Sequence, residues 1–412
     1  MAAHPPMTDW ATDFDHTTTE WAQNAPEIWE TFRDGCPVAH TDRFGGCWFP
    51  ARHGDVSAIA HDTAHFSSKS VVVNDLGFFG EAPVGFAPPI TSDPPFHGIA
   101  RRLLLAPFSP KAIAALEPAT RRTCRTLIAE MLERAARSGG AADAAVDYAQ
   151  HIPVQVIAHL LGLPEGDGDK FRQFIHRILE APGQVTPVSP DDTLVAYLQQ
   201  FIAERRADPG DDLISHLTRA EVAGVPLGDD HVEGTVALLL IAGIDTTWSA
   251  IGASLWHLAQ HPGHLARLRD EPGLMPFAVE EFLRFYAPVT MARVVAEDIT
   301  IGGAEMKVDD WVLLPFPSAN RDPEAFEQAD EFVIDRRRNR HAAFGLGIHR
   351  CLGSNLARME LRVALEEWVA AVAAFELADE GPDSVRWSTG QVRGPRELPI
   401  RVLETLPMEE TK

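Results

Sequence analysis

Apolar residues recur every three to four positions over most of this chain, a spacing that predicts amphipathic helices near 110–137, 144–162, 168–181, 191–206, 229–260 and 352–375. Runs rich in β-branched and aromatic residues are fewer and shorter. Residues 47–50, 299–303, 311–314 and 398–402 read as small sheet pieces, mostly toward the two ends of the chain. No Pro/Gly/Ser linker, internal repeat or low-complexity block interrupts the pattern. The pattern predicts one mostly helical α+β domain with small peripheral sheets, spanning residues 1–412. Two segments stand apart. Residues 1–20 read as an N-terminal extension. Residues 71–95, valine-rich and then rich in Pro and Phe, read as a long mobile loop whose apolar side chains would cover an apolar ligand.

Composition narrows the function. A formal net charge of −23 argues against nucleic acid as a partner, because phosphate binding needs a cationic face. The local exception is Arg336-Arg337-Arg338-Asn339-Arg340, which reads either as a solvated charge run or as a docking patch. Cys36, Cys47, Cys124 and Cys351 lack C-x-x-C spacing, so neither a zinc site nor a disulfide framework is indicated, and a reducing compartment fits. The first residues offer no basic start followed by an apolar core, and the longest clearly apolar run, 236–244, is too short for a membrane span. The expectation is a cytoplasmic protein without a membrane anchor.

One stretch carries more chemistry than any other: Phe344-Gly345-Leu346-Gly347-Ile348-His349-Arg350-Cys351-Leu352-Gly353. Its glycines permit sharp turns and close backbone approach. Leu352, Leu356, Met359 and Val363 then repeat at helical spacing, which puts Cys351 at a helix N-terminus where the dipole favours a thiolate. A sulfur that binds haem iron must be a thiolate, so the stretch reads as a haem-thiolate loop. A buried core cysteine beside a turn is the plain alternative. A dinucleotide loop fails, since no third glycine follows Gly345-x-Gly347 at the required offset.

The order Phe-x-x-Gly-x-His-x-Cys-x-Gly closely resembles the proximal signature of the cytochrome P450 monooxygenases of soluble bacterial type, and the resemblance extends along nearly the whole chain. It implies the P450 fold, haem b as cofactor and Cys351 as the iron ligand, with Phe344, Gly347 and Gly353 against the haem. Within the long helical pattern 229–260, the run Ala242-Gly243-Ile244-Asp245-Thr246-Thr247 breaks local helix preferences. It is similar to the family's Ala-Gly-x-Asp-Thr motif. Asp245 would then be the proton-relay acid and Thr246 the hydroxyl that steadies dioxygen, with Ala242 and Gly243 leaving room for oxygen. Asp245 and Thr246 are the implied catalytic pair; a kinked helix with a self-satisfied Thr is the alternative.

Glu281 and Arg284, at i, i+3 spacing, match the family's Glu-x-x-Arg and are expected to form a buried structural pair. Haem carboxylates need cationic partners, and His97, Arg101, Arg293 and His349 fall where the resemblance implies them. Phe96 departs from the family's frequent Glu, which touches no catalytic role. The substrate pocket is expected from Val73, Phe78, Phe79 and Phe86 on the loop, Leu238, Leu239 and Ala242 on the long helix, Val289 and Met291, and Gln391 and Val392. The implied reaction inserts one oxygen atom from O2 into an apolar organic small molecule, with electrons from a separate ferredoxin-type partner. Arginines near the cysteine loop, among them Arg102, Arg338, Arg340 and Arg350, would meet that partner. The alternatives are a peroxygenase using H2O2 on the same fold, which needs no acid–alcohol relay, and a non-catalytic haem-thiolate sensor or carrier.

Overall fold

The computed structural model describes residues 7–73, 86–180, 193–378 and 384–407. Its principal helices are α1 (Thr19–Gly35), α2 (His53–His61), α3 (Phe96–Leu104), α4 (Pro110–Arg137), α5 (His151–Leu161), α6 (Leu194–Ala207), α7 (Asp229–Gln260), α8 (Met275–Phe285) and α9 (Ser354–Ala371). Strands β1 (Val38–Thr41), β2 (Cys47–Pro50), β3 (Phe66–Ser67), β5 (Thr290–Val295) and β6 (Trp311–Pro315) form a five-stranded sheet in the order β1-β2-β6-β5-β3, with β2 and β6 parallel. A three-stranded sheet joins β4 (Ala141–Asp143), β7 (Val372–Leu377) and β9 (Pro399–Thr405) in the order β7-β9-β4, and β8 (Pro395–Glu397) precedes β9.

Local chemistry explains the boundaries. The Ser109 hydroxyl accepts the Ala112 N–H ahead of Pro110, so α4 starts with a capped turn and a residue that has no N–H to satisfy. Asp229 and Asp230 occupy the first turn of α7, where carboxylates favour the positive end of the dipole. That helix is apolar on nearly every side and is buried among α5, α8 and α9. By length and composition α7 could cross a membrane, but most of its apolar stretch is enclosed by the chain's own fold.

Three expectations change. The helix expected over 352–375 ends at Ala371, and Val372–Leu377 pairs with β9 instead, because a short apolar run satisfies either period until a partner strand decides. Residues 9–20, expected as an extension, are folded in: Phe14 is fully buried, with its ring 5.8 Å edge-on from Phe49 and 5.9 Å from Trp21. Of the segment expected to be a mobile lid, 74–85 lie outside the described residues, and both flanks are packed. Val71, Val72 and Val73 are buried, and Ala292 donates to the Val71 carbonyl. On the other flank, Thr235 donates to the Pro88 carbonyl, and a Cβ on Gly234 would come within 1.9 Å of the Phe86 carbonyl oxygen. Gly234 lets that flank lie directly on α7.

Candidate active site

The cysteine loop is built by two left-handed glycines. Gly345 (φ +70°) and Gly347 (φ +66°) turn the chain, and a Cβ on Gly347 would meet the Ala60 carbonyl oxygen at 2.2 Å, so only glycine lets the loop rest on α2. The Cys351 N–H closes the turn on the Phe344 carbonyl at 2.7 Å. Phe344 is held under the Arg358 guanidinium, whose carbon lies 4.4 Å from the ring centre, and Arg358 is itself forked onto Glu280. Cys351 is accessible, yet the surrounding protein desolvates it enough to raise its pKa, as on the wall of a concave site. The Gly353 N–H and then Arg101, Arg350 and Arg358 oppose that rise by favouring the thiolate.

Beside this loop lies a cluster of basic side chains. The His97 and His349 rings are 4.4 Å apart, and Arg293 is almost fully buried. Burial pushes Arg293 down to about 10 and His349 down to about 2; Arg293, His97 and Arg101 deepen the effect at His349. His97 is lowered by burial and then by Arg101. Arg293 donates to the Ala292 carbonyl and Arg101 to the Arg350 carbonyl, but among the described residues neither has a carboxylate within ion-pair distance. His97 Nε2 is buried with no partner. Asp93, the acid nearest the cluster, has its oxygens taken up by the Ser67 hydroxyl at 2.5 Å and the Ser68 N–H at 2.8 Å, and Ser68 Oγ in turn pairs with His349 Nε2 at 2.9 Å. Buried cations without counter-charges are costly unless an anion arrives.

On α7, Leu239, Ala242, Gly243 and Thr246 repeat at helical spacing as a less buried stripe along a helix that is otherwise enclosed, with Ala242 the most exposed. The helix runs unbroken from Asp229 to Gln260, and Thr246 Oγ1 donates back to the Ala242 carbonyl at 2.8 Å. Asp245 is turned away from the stripe. It is fully buried and accepts from Arg396 Nη2 at 2.6 Å, while Arg396 Nη1 donates to Ser249 Oγ. Gly394 makes this possible, since a Cβ there would sit 2.3 Å from that of Ser249. Gly243 also has a packing role beside its place on the stripe: its Cβ position faces Ile157 of α5 at 3.0 Å, so its smallness serves helix–helix packing, and Ala242 is the residue most open on the accessible face.

Comparison with known proteins decides what this arrangement belongs to. The sequence profile described as Cytochrome P450 matches residues 189–371. Erythromycin C-12 hydroxylase of Saccharopolyspora erythraea is 36% identical over 387 residues, 90% of this chain and 92% of that protein. The chain belongs to the cytochrome P450 family. Mycinamicin IV hydroxylase/epoxidase of Micromonospora griseorubida is 33% identical over 86% of this P450 and 89% of its own length. Among solved structures, a mutant of P450 EryK in complex with erythromycin B superimposes with a TM-score of 0.80 at 31% identity, covering 96% of this chain and 100% of that one. CYP109E1 from Bacillus megaterium in complex with testosterone gives 0.81 at 31% identity, over 93% of this chain and 99% of that one.

This P450 is therefore a haem monooxygenase with haem b as its cofactor. The residues present fit that group: an accessible cysteine, and beside it the buried Arg293, the partly buried Arg101 and the unpartnered His97 Nε2, which lack the carboxylates a haem would bring.

Glu281 and Arg284 of the P450 are fully buried and doubly bonded, at 2.7 and 2.8 Å. Arg336, Asn339 and the Val333 N–H also bond Glu281, and Arg284 reaches the carbonyls of Asn320, Ala329 and Glu331. The arginine run is thus divided: Arg336 belongs to this network and Arg337 stacks on Phe277 at 3.9 Å, leaving Arg338 and Arg340 exposed.

The expected pocket residues do not all share one environment. Phe78 and Phe79 lie outside the described residues. Val73 is buried in the aromatic cluster of Phe14 and Phe49, so it is a core residue. Phe86 is exposed and stacks on Phe96 beside His231. Leu238 is buried, and Val289 and Met291 are partly buried against the sheet. Val392 bridges Val289, and Gln391 spends its Nε2 on the Val71 carbonyl. Sequence reasoning missed Arg396, Ser68 and Asp93. Only Asp93, adjacent to Pro94 and four residues before His97, carried a local signal.

Proposed function

We propose that this P450 inserts one oxygen atom from dioxygen into an apolar organic molecule, using Cys351 as the iron ligand and electrons from a ferredoxin-type protein in the cytoplasm. The observation that supports this most is the uncompensated guanidiniums of Arg101 and Arg293, with the unpartnered Nε2 of His97, beside an accessible cysteine, in a chain whose longest helix keeps one accessible stripe through Ala242 and Thr246. Haem, when bound, supplies the dioxygen and electron chemistry. The protein supplies the rest. His97, Arg101, Arg293 and His349 hold the two haem carboxylates by charge-assisted hydrogen bonds. Thr246 offers a hydroxyl once it turns from the Ala242 carbonyl, and Asp245 feeds it protons as the Arg396 pair loosens.

Ala242, Leu239, Val289, Met291 and Val392 give the substrate an apolar wall. Erythromycin-like and mycinamicin-like compounds are the first to screen, since two relatives are named as hydroxylases of erythromycin and of mycinamicin IV. Arg102, Arg338, Arg340 and Arg350 are exposed with no carboxylate within ion-pair distance among the described residues, which suits an acidic electron donor despite the net charge of −23.

The test is product formed per reducing equivalent in a reconstituted system. The native enzyme should need ferredoxin and reductase. Thr246→Ala should still consume electrons but release much of the oxygen as peroxide, and Asp245→Asn should slow turnover. Full activity with H2O2 alone and unchanged coupling in both variants would favour the peroxygenase reading instead.

A further inference from the structure

A cavity of about 210 Å³ lies away from the cysteine loop, among α1, the end of α7 and the segments after α8 and before β8. Trp256, Trp387, Phe285 and Tyr286 supply its walls, and Arg321 and Arg393 line it together with one exposed acid, Glu27. Arg393 stacks on Trp387 at 3.9 Å and gives one N–H to the Ala22 carbonyl; Arg321 stacks on Phe285 at 3.8 Å and donates to the Phe285 carbonyl. Among the described residues neither has a carboxylate within ion-pair distance. The acids acting on them, Glu27 and Asp330, are both exposed. Burial pushes Arg321 down to about 10 and Arg393 to about 9, and each is further lowered by other arginines nearby, Arg284 and Arg33 for the first and Arg321 for the second.

We infer that this cavity is a binding site for a small aromatic or aliphatic monocarboxylate. Two desolvated guanidiniums with N–H groups to spare call for an oxyanion, and the tryptophan and tyrosine walls call for an apolar body. The volume suits one ring: an apolar cavity of about 150 Å³ already holds benzene. It is too small for a drug-sized molecule, whose sites start at about 300 Å³. The site is distinct from the haem cradle but not isolated from it. The Arg393 N–H donates to the Pro288 carbonyl at 2.7 Å and the Thr290 N–H to the Gln391 carbonyl at 2.8 Å, so the cavity backs onto the two segments that carry Val289, Met291 and Val392.

The experiment is calorimetric titration of the haem-loaded protein with benzoate, following the Soret band in parallel. Benzyl alcohol and inorganic phosphate serve as comparators that each lack one half of the recognition. One benzoate per chain should bind without moving the Soret band, with both comparators weaker by roughly tenfold or more. Arg393→Gln should weaken benzoate by a similar factor while keeping the thiolate spectrum. Ala287→Leu, which fills the cavity without touching either guanidinium, should abolish binding and decides the matter if Arg393→Gln fails to fold. Absence of benzoate binding, affinity unchanged in both variants, phosphate binding as tight as benzoate, or binding that shifts the Soret band would each overturn the inference.

Discussion

Two groups of buried charge in this P450 are managed in opposite ways. Around Glu281, every charge meets a partner: Arg284 and Arg336 fork onto the carboxylate, Asn339 adds a hydrogen bond, and spare N–H groups of the arginines end on backbone carbonyls. Around Arg293, basic side chains face one another and the nearest acid, Asp93, is occupied by two serines. The first arrangement is complete within the chain and can only hold it together. The second is incomplete, and its missing element is anionic. Burial alone does not separate structural from ligand-binding charge; the presence or absence of an internal partner does.

The largest expected effect tests the complete side. Glu281→Ala strands two buried guanidiniums, and removing one partner of such a network costs about 3–5 kcal/mol. Urea unfolding should show that loss equally with and without haem. Arg293→Gln sharpens the contrast. It removes an uncompensated charge, so the haem-free protein should be as stable as the native one or more so. Haem retention should weaken by about 1.5–3 kcal/mol, the value of a charge-assisted hydrogen bond. Transfer of haem to a scavenging globin reads this directly, and a variant that loses haem-free stability instead would erase the distinction.

A smaller effect appears with pH. His97 sits below its ordinary pKa in the folded chain, through burial and then Arg101. The unfolded chain therefore takes up a proton near pH 6.5 that the folded chain refuses, and stability falls as pH drops below that value, by at most about 1.4 kcal/mol per unit. An anion beside His97 relieves this. His257, pushed down to about 2 mainly by burial, and Glu360, pushed up to about 8 by burial, lie outside the cluster and contribute alike to both forms. The stability gap between haem-loaded and haem-free protein should therefore widen from pH 7 to pH 5, and should widen less in His97→Gln, where His349, lowered mainly by burial in the same cluster, still contributes.

Much of this was legible in the residues. The spacing of Phe344, Gly347, His349 and Cys351 is local, and so are the left-handed turns at Gly345 and Gly347, so the pattern predicts the turn, whereas the close approach of Gly347 to the Ala60 carbonyl of α2 comes from the fold. Helix α4 begins and ends where its cap and its apolar period say. What the pattern could not carry is partnership across the chain. Arg396 meets Asp245 from 151 residues away because Gly394 lets the two segments touch, and no period in either segment announces it. Val73 and Phe86 look alike as apolar loop residues, and only the packing of α1 and the first sheet separates a core position from an exposed one. Gly243 likewise reads as room for a ligand until Ile157 is found against it.

The central claim is that Cys351 and the uncompensated cations form one haem seat, and the absorption spectrum of the reduced carbon monoxide complex tests it most directly. The native protein should show the band of thiolate ligation. Cys351→Ala should lose it, while alanine at Cys36, Cys47 or Cys124 should leave it intact. A thiolate band that survives Cys351→Ala, or an imidazole-type band in the native protein, would contradict the account.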